Sequence, residues 1–276
     1  MMLICEDILL LLTRDDGRTE AWVTYRPYAL AAGLLADLAL ADCIEFEADK
    51  KNPKVTLAGE LAGAGWAPGG GGAGASTGAG ASTGAPVGRP GGPDGMGEAP
   101  AVPDGPGAIM DFGLRALADR NKPPRVQTVV TAGWFNPQEV VSRSLMAQGV
   151  VGLEEKKLLG LKPERYPVID PEPEAGTRAR LTDALAGRGP VVPADAMILG
   201  IIQGIGAVKH VLSDELEQAG LKEREAKKRI ESLADELPAD ARQGSRAVKG
   251  VIDSMNAAIM GAIVATTAAG TAAAGS

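Results

Sequence analysis

The stretch from Leu3 to Leu57 decides the fold, and it opens with LICEDILLLL (3–12), followed by a polar turn, RDDGRTEAW (14–22). It continues with YRPYALAAGLLADLAL (25–40) and closes with CIEFEADKKNPKVTL (43–57). The first segment is apolar on nearly every side, which is typical of a buried helix. The second repeats leucine at helical spacing after Pro27, a residue well suited to the first turn of a helix. The third alternates apolar and polar residues on either side of a turn, which predicts a β-hairpin.

The chain beyond this stretch also carries mainly helical patterns. The segment Ala194–Leu212 is apolar on every face, which predicts the central helix of the core. The charged segment Ser213–Leu237 is expected to form a pair of helices with a solvated face. The other helices expected are Ile109–Arg120, Gln138–Gln148 ended by Gly149, Glu174–Leu185 and a last helix that starts near Ser245.

Residues 62–106 form a low-complexity segment that includes the repeat GAGASTGAGASTGAP. It offers almost no apolar surface to offset the entropy of ordering it, so a disordered insert is predicted. A glycine-rich phosphate loop is the alternative, but no strand-to-helix context and no GK[ST] accompany it. The sequence therefore predicts a mainly α-helical single domain over residues 1–276, interrupted at 62–106 and ending in a frayed tail at 269–276. In this bundle a central apolar helix is ringed by amphipathic helices, with one or two β-hairpins.

Composition restricts the function. The formal net charge is −7 and the pI is about 5.0, which argues against broad nucleic-acid binding through a basic face. The two cysteines, Cys5 and Cys43, fit buried thiols in a reducing compartment better than a disulfide. No signal peptide is apparent, because Glu6 and Asp7 interrupt the first apolar segment and no basic region precedes it. No membrane-spanning run is apparent either, because the best candidate, Met197–Leu212, is short and contains Gln203, Lys209 and His210. A cytoplasmic protein is expected.

The sequence contains no motif that points to catalysis or to a metal. The patterns HExxH and GxSxG, the P-loop and the dinucleotide fingerprint are all missing. The adjacent acids Glu6–Asp7 and Asp15–Asp16 are explained by a helix N-terminus and a turn. The single histidine, His210, falls in the predicted core helix, where it cannot serve as the base for a nucleophile. We expect a protein that is not an enzyme and that needs no metal or cofactor.

A second hairpin is predicted over Lys156–Ile169, with its turn at Pro163–Glu164. Basic and apolar side chains are mixed along it. A surface hairpin that packs its leucines inward explains this pattern, and so does a hairpin whose tip enters a membrane interface. The residues alone leave both interpretations open.

The sequence resembles the Golgi phosphoprotein 3 family, in its bacterial form. In the N-terminal stretch the resemblance rests on Glu6-Asp7, Leu9–Leu12, Asp15–Gly17, Trp22, Leu35–Leu40 and the strand Ile44–Phe46. Downstream it rests on the order of Trp134–Pro137, Gly149–Val151, the Lys156–Ile169 hairpin and the apolar helix after Pro193. The resemblance covers most of the chain outside the insert.

This resemblance implies a peripheral membrane protein that binds phosphatidylinositol 4-phosphate and acts as an adaptor for other proteins. The family's lipid pocket uses a tryptophan and several arginines, and the tryptophan corresponds to Trp22. One family arginine falls on Ala31, which cannot contact phosphate, so Arg26 is the candidate substitute. Arg143 is the basic residue left in the helix that carries the family's other arginines. The membrane-contact residues implied for the hairpin are Lys156, Lys157, Leu158, Leu159, Leu161, Lys162 and Arg165.

The expected partners are an anionic phospholipid surface and a protein client, with no nucleic acid, and the oligomeric state stays open. We therefore expect a cytoplasmic protein that associates peripherally with membranes. One alternative is a soluble protein–protein adaptor without lipid affinity, which would use the charged helix Leu221–Leu237 or the insert. A winged-helix-like nucleic-acid binder is a further alternative, suggested by two helices followed by a hairpin. It is disfavoured because the would-be recognition helix carries few basic side chains.

Overall fold

A computed structural model describes residues 2–18, 25–47, 52–59, 105–154, 165–233, 235–237, 257 and 259. This part of the chain is mainly helical and contains one two-stranded antiparallel sheet, which confirms the predicted fold class. Its elements are, in chain order, α1 (Ile4–Leu11), α2 (Arg26–Leu40), β1 (Ile44–Phe46), β2 (Val55–Leu57), α3 (Pro106–Ala118), α4 (Val126–Thr131), a 3-10 turn (Gly133–Phe135), α5 (Gln138–Ala147), α6 (Glu172–Ala186), α7 (Pro193–Gly204), α8 (Val208–Val211), α9 (Ser213–Ala219) and α10 (Glu223–Leu233).

Two helices, α1 and α7, form the centre of the core. Every residue of α1 is buried, and α7 is buried except at Pro193 and Gln203. Helix α1 packs against α2, α5, α6 and α7, and α2 also packs against α3 and α4. Helices α1 and α2 approach closely at Gly33, where an added Cβ would lie 3.0 Å from the Cα of Cys5. Helices α3 to α7 therefore pack against the N-terminal helix pair, while α9 and α10 pack against α6, and α10 also against α7.

The first predicted hairpin is confirmed in strands β1 and β2. Ile44 lies opposite Leu57, and Phe46 lies opposite Val55. Ile44 and Val55 are buried, whereas the middle pair, Glu45 and Thr56, is exposed, as the alternating pattern predicts. The backbone N–H of Val55 donates to the carbonyl of Pro124, which joins this sheet to the segment before α4.

The second hairpin differs from its prediction. The backbone pairs Val151 with Val168 and Glu154 with Arg165, in antiparallel orientation. The partner of the returning segment is therefore Val151–Glu154, upstream of the strand expected at Lys156–Lys162. We call these two paired segments, Val151–Glu154 and Arg165–Val168, the hairpin base. Residues 155–164, with the predicted turn, lie outside the described residues.

The prediction of one continuous helix over Ala194–Leu212 is wrong. Helix α7 ends at Gly204, and Gly206 adopts a left-handed conformation with φ of +72°. The N–H of Gly206 donates to the carbonyl of Gln203 and that of Ala207 to the carbonyl of Ile202, which is a Schellman termination. His210 lies in the short α8 beyond this break and is exposed, so the predicted core position of this histidine is wrong as well.

Several predicted segments cannot be compared with the structure. The insert at 62–106 lies outside the described residues up to residue 104, and α3 already begins at Pro106, three residues before the expected start. The predicted last helix is described only at Ala257 and Ile259, and Ile259 is buried. The frayed tail at 269–276 also lies outside the described residues.

Candidate functional site

A carboxylate from α2 caps the buried start of α1. Asp37 accepts hydrogen bonds from the backbone N–H groups of Ile4, at 2.7 Å, and Cys5, at 3.1 Å. Both groups are free donors of the first helical turn, and a negative charge is favourable at that end of a helix. Burial nevertheless raises the pKa of Asp37 to about 7. The bond pair fixes how α1 and α2 meet.

Glu6 is part of a buried polar cluster between α1 and α5. Its carboxylate accepts hydrogen bonds from the hydroxyl of Ser144 and the side-chain amide of Gln148, both at 2.7 Å. A second carboxylate oxygen accepts the backbone N–H of Leu3 at 2.9 Å. The sequence predicts Glu6 and Asp7 in the first helical turn, where they lie, but their explanation as acids of a helix N-terminus does not include the burial of both.

Asp7 joins α1 to α6 and α7. It accepts a hydrogen bond from the hydroxyl of Thr177 at 2.6 Å. The guanidinium of Arg180 lies 3.4 Å from the Asp7 carboxylate and 3.1 Å from that of Asp195. Burial raises the pKa of both acids, although the Arg180 charge opposes the change. Together these contacts join the first turn of α1 to α6 and, through Arg180, to α7.

The turn that follows α1, which contains Asp15 and Gly17, contacts the hairpin base directly. Gly17 has a φ of +73°, and an added Cβ would lie 2.7 Å from backbone atoms of Tyr166 and Pro167. The N–H of Val168 donates to the carbonyl of Asp15 at 3.1 Å. Only glycine fits this close approach in this conformation. The contact brings the start of the chain beside the returning strand of the hairpin.

A cavity of about 250 Å³ lies beside this contact, between α1, the start of α2, α5 and the hairpin base. We call it the arginine pocket, because three arginines contribute to its wall and no carboxylate does so among the described residues. Its lining residues are Leu9, Leu10, Thr13, Gly17, Arg18, Arg26, Gln138, Ser142, Val151, Arg165 and Tyr166. The pocket therefore combines an apolar floor with guanidinium and amide donors.

Arg26 contributes a cation to the pocket from the start of α2. It is half-buried, and its guanidinium makes one long hydrogen bond, 3.5 Å, to the hydroxyl of Thr13. Desolvation lowers its pKa, and no carboxylate of the described residues compensates the charge. A guanidinium removed from water usually has an anionic partner. Arg26 thus has the environment of a side chain that receives an anion.

The two other pocket arginines differ in exposure. Arg165 is half-buried in the hairpin base, where its backbone carbonyl accepts the N–H of Glu154 at 3.0 Å. Arg18 is exposed and lies 3.4 Å from the carboxylate of Asp16. The sequence predicts Arg165 as a membrane-contact residue and does not predict Arg18, because nothing in the local pattern places the turn after α1 beside the hairpin.

Of the remaining predicted site residues only Arg143 is described, and it does not line the pocket. Arg143 points to the side of α5 where it pairs with Glu139 at 3.2 Å, and its side chain is 42% exposed. Ala31, the position of a family arginine, is buried. Trp22 lies outside the described residues, as do the hairpin residues Lys156, Lys157, Leu158, Leu159, Leu161 and Lys162. Their assignment as site residues stays a prediction.

A second cavity, of about 330 Å³, lies on the other side of the turn after α1. Its lining mixes acids with cations, including Asp15, Glu174 and Arg178. Arg178 is paired with Glu174 at 2.8 Å and with Glu215 at 2.9 Å. Because two carboxylates already neutralise this arginine, the cavity has less positive charge to offer an anion than the arginine pocket.

The described residues contain no group of three or more potential ligands for a metal ion. No helix among them is long and apolar enough to cross a bilayer.

The fold and the pocket define a class: a helical protein with a positively charged pocket beside a hairpin. The family model of Golgi phosphoprotein 3 (GPP34) matches residues 4–65 and 96–255, and the chain belongs to this family. Comparison with curated proteins gives no match.

Proposed function

We propose that this chain is a non-catalytic, adaptor-like protein that associates peripherally with membranes and binds anionic phospholipid headgroups in the arginine pocket. The observation that carries the proposal is Arg26: it is half-buried, lines the pocket and has no carboxylate partner among the described residues. Family membership supports it, because Golgi phosphoprotein 3 proteins bind lipids and act as adaptors. The same resemblance makes phosphatidylinositol 4-phosphate the headgroup to test first.

The charge distribution favours a local rather than a general attraction to membranes. The whole chain carries −7, so its long-range interaction with an anionic surface is repulsive. At short range the cations of the pocket oppose this repulsion, since each cation near an anionic surface contributes about 1 kcal/mol of attraction. Salt screens interactions between exposed charges more than interactions between buried ones. Added salt should therefore weaken the binding of a phosphate inside the pocket less than binding through exposed charges.

The hairpin completes the proposed membrane contact. The residues concerned are Lys156, Lys157, Leu158, Leu159, Leu161, Lys162 and Arg165. Two or three leucines that enter the interface, with cations around them, give a reversible attachment of the kind that amphipathic segments make. Trp22 and Arg143 are proposed to contribute to the same face, and the protein is proposed to act on the cytoplasmic side.

Liposome flotation tests this proposal. Three vesicle types are compared: neutral phosphatidylcholine alone, phosphatidylcholine with phosphatidylserine, and phosphatidylcholine with phosphatidylinositol 4-phosphate, the last two matched in surface charge. Wild-type protein is expected to float best with the phosphoinositide. Arg26→Gln should weaken that binding about tenfold or more, because it removes charge-assisted hydrogen bonds worth about 1.5–3 kcal/mol.

Arg115→Gln is the matched control, since it removes the same charge from an exposed side chain that pairs with Asp111 outside the pocket. Equal losses in the two variants would show that general charge, not the pocket, governs binding. If the wild-type protein floats with none of the vesicles, the lipid proposal is wrong and the soluble adaptor takes its place.

A further inference from the structure

The wall of the arginine pocket contains a hydroxyl that no described residue of the chain binds. Ser142 lies in the middle of α5, lines the pocket and is 1% exposed. Its oxygen is buried and makes no hydrogen bond to any group of the described chain. Buried hydroxyls almost always have a partner, so this one points to a partner from outside the chain.

Other described hydroxyls in or next to helices make a hydrogen bond that Ser142 lacks. A hydroxyl within a helix commonly donates to the carbonyl four residues earlier. Among the described residues, four threonines within a helix or just after one do so, with oxygen–oxygen distances of 2.6 to 3.2 Å: Thr13, Thr131, Thr177 and Thr182. Ser144, two positions further along the same helix, donates to Glu6 instead. Ser142 makes neither kind of bond, although the carbonyl of Gln138 is available to it at the same spacing.

The surroundings of Ser142 suit an anionic oxygen. Gln138 precedes it by four residues and lies on the same side of α5, and both line the pocket. Arg26 and Arg165 line the same cavity, and no described lining residue is acidic. The next residue, Arg143, is turned away toward Glu139 and solvent. Donors from two arginines and one hydroxyl therefore face one space, with nothing negative in the described wall to occupy them.

We propose that the Ser142 hydroxyl donates a hydrogen bond to a phosphate oxygen of the ligand in the arginine pocket. This inference rests on the proposed function and adds how far the ligand enters the pocket. The phosphate passes the arginines and reaches α5. A cavity of about 250 Å³ lies below the range of about 300–1,000 Å³ typical of larger ligands. It suits a headgroup with a terminal phosphate monoester, and it leaves the acyl chains outside.

A phosphate monoester can come from a lipid headgroup or from a soluble compound, so the test has three arms. Titration calorimetry measures binding of inositol 4-phosphate and of inorganic phosphate, and flotation measures binding to phosphatidylinositol 4-phosphate vesicles. The variant is Ser142→Ala in the full-length chain. Ser213→Ala is the matched control, because that hydroxyl is exposed and bonds only to Asp214 in the described structure. Thermal unfolding without ligand is recorded for every protein.

Ser142→Ala is expected to weaken inositol 4-phosphate binding about tenfold, the loss of one hydrogen bond to a charged group. Its melting temperature without ligand should stay the same or rise, because the change removes an unsatisfied buried hydroxyl. This combination of weaker binding with undiminished stability is not expected of a residue that only supports the fold. Ser213→Ala should change neither measurement.

The outcomes separate this inference from the function on which it rests. Unchanged affinity in Ser142→Ala while the wild type binds overturns the role of the serine and leaves the pocket intact. A parallel fall in stability and affinity also overturns it, because the residue is then structural. Binding of the soluble phosphates without vesicle binding keeps the serine's role and rejects the lipid. No binding of the wild type to any of the three overturns both proposals.

Discussion

Acidification from pH 7 to pH 5 is expected to stabilise this fold, because Asp37 is buried where a carboxylate is unfavourable. The residue is 6% exposed, and the charge that acts on it comes from Glu6 on α1. Burial raises the pKa of Asp37 from 3.8 to about 7, and the Glu6 charge acts in the same direction. The hydrogen bonds from Cys5 and Ile4 favour the ionised form but do not outweigh the burial.

The sign of the effect follows from where the proton is held. Between about pH 4 and pH 7 the folded protein keeps a proton on Asp37 that the unfolded chain has already released. Folded protein therefore binds more protons, and the free energy of unfolding falls as the pH rises through this window. One pKa unit corresponds to about 1.4 kcal/mol, so this group alone lowers stability by about 2 kcal/mol between pH 5 and pH 7. Burial also raises the pKa of Asp7 and of Asp195, so the contribution of each acid to stability changes with pH in the same direction.

Urea unfolding of the full-length chain, followed by far-ultraviolet circular dichroism at pH 5, 6 and 7, measures this dependence. Asp37→Asn cannot titrate, so its stability should vary with pH by about 2 kcal/mol less than that of the wild type over the same range. Asp183→Asn, at an exposed acid paired with Arg188, should keep the wild-type slope. The reasoning is refuted if the wild type is no more stable at pH 5 than at pH 7, or if Asp37→Asn retains the full slope.

Two backbone positions give further stability predictions, each measured by urea unfolding. Gly33→Ala should destabilise the protein by roughly 1–3 kcal/mol, because the new Cβ would lie 3.0 Å from the Cα of Cys5, which cannot move without separating the helices. Gly107→Ala, where a Cβ meets nothing within 4 Å, is its control and should lose no stability. Asp42→Gly should stabilise the protein by about 0.5–1 kcal/mol, because Asp42 is exposed and holds a φ of +52° that glycine adopts without strain. A loss of stability in Asp42→Gly would mean that its side chain, not its backbone, matters there.

The sequence predicts the elements whose patterns are local. Helices α1 and α2 and the β1–β2 hairpin follow from leucine spacing, from alternation and from turn residues within a few positions of each other. The break after Gly204 is harder to predict, because apolar residues continue on both sides of it. Only the left-handed Gly206 and the two bonds that it permits end α7 there. A glycine inside an apolar run is equally compatible with a continuous helix that a neighbour approaches closely.

The candidate site is less predictable because it is assembled from distant segments. Arg26 is a candidate from its position near Trp22, but Arg18 and Ser142 have no local signal that connects them with it. Their convergence depends on Gly17 resting on the hairpin base, a contact between residues about 150 positions apart in the chain. The burial of Glu6 had a signal that could have been used: a helix that is apolar on all sides offers no wet face for an acid.

The two acids of α1, Glu6 and Asp7, determine how that helix is rotated about its own axis. Because every residue of α1 is buried, apolar surface alone does not decide how the helix is rotated about its own axis. A turn of roughly 100°, one residue, would exchange one leucine for another at little loss of burial. The same turn would carry Glu6 and Asp7 away from their donors on α5 and α6, and each uncompensated buried charge costs about 3–5 kcal/mol. The two least apolar residues of the helix thus select one rotation of α1 about its axis. The same rotation sets the direction in which the chain leaves the core toward the hairpin.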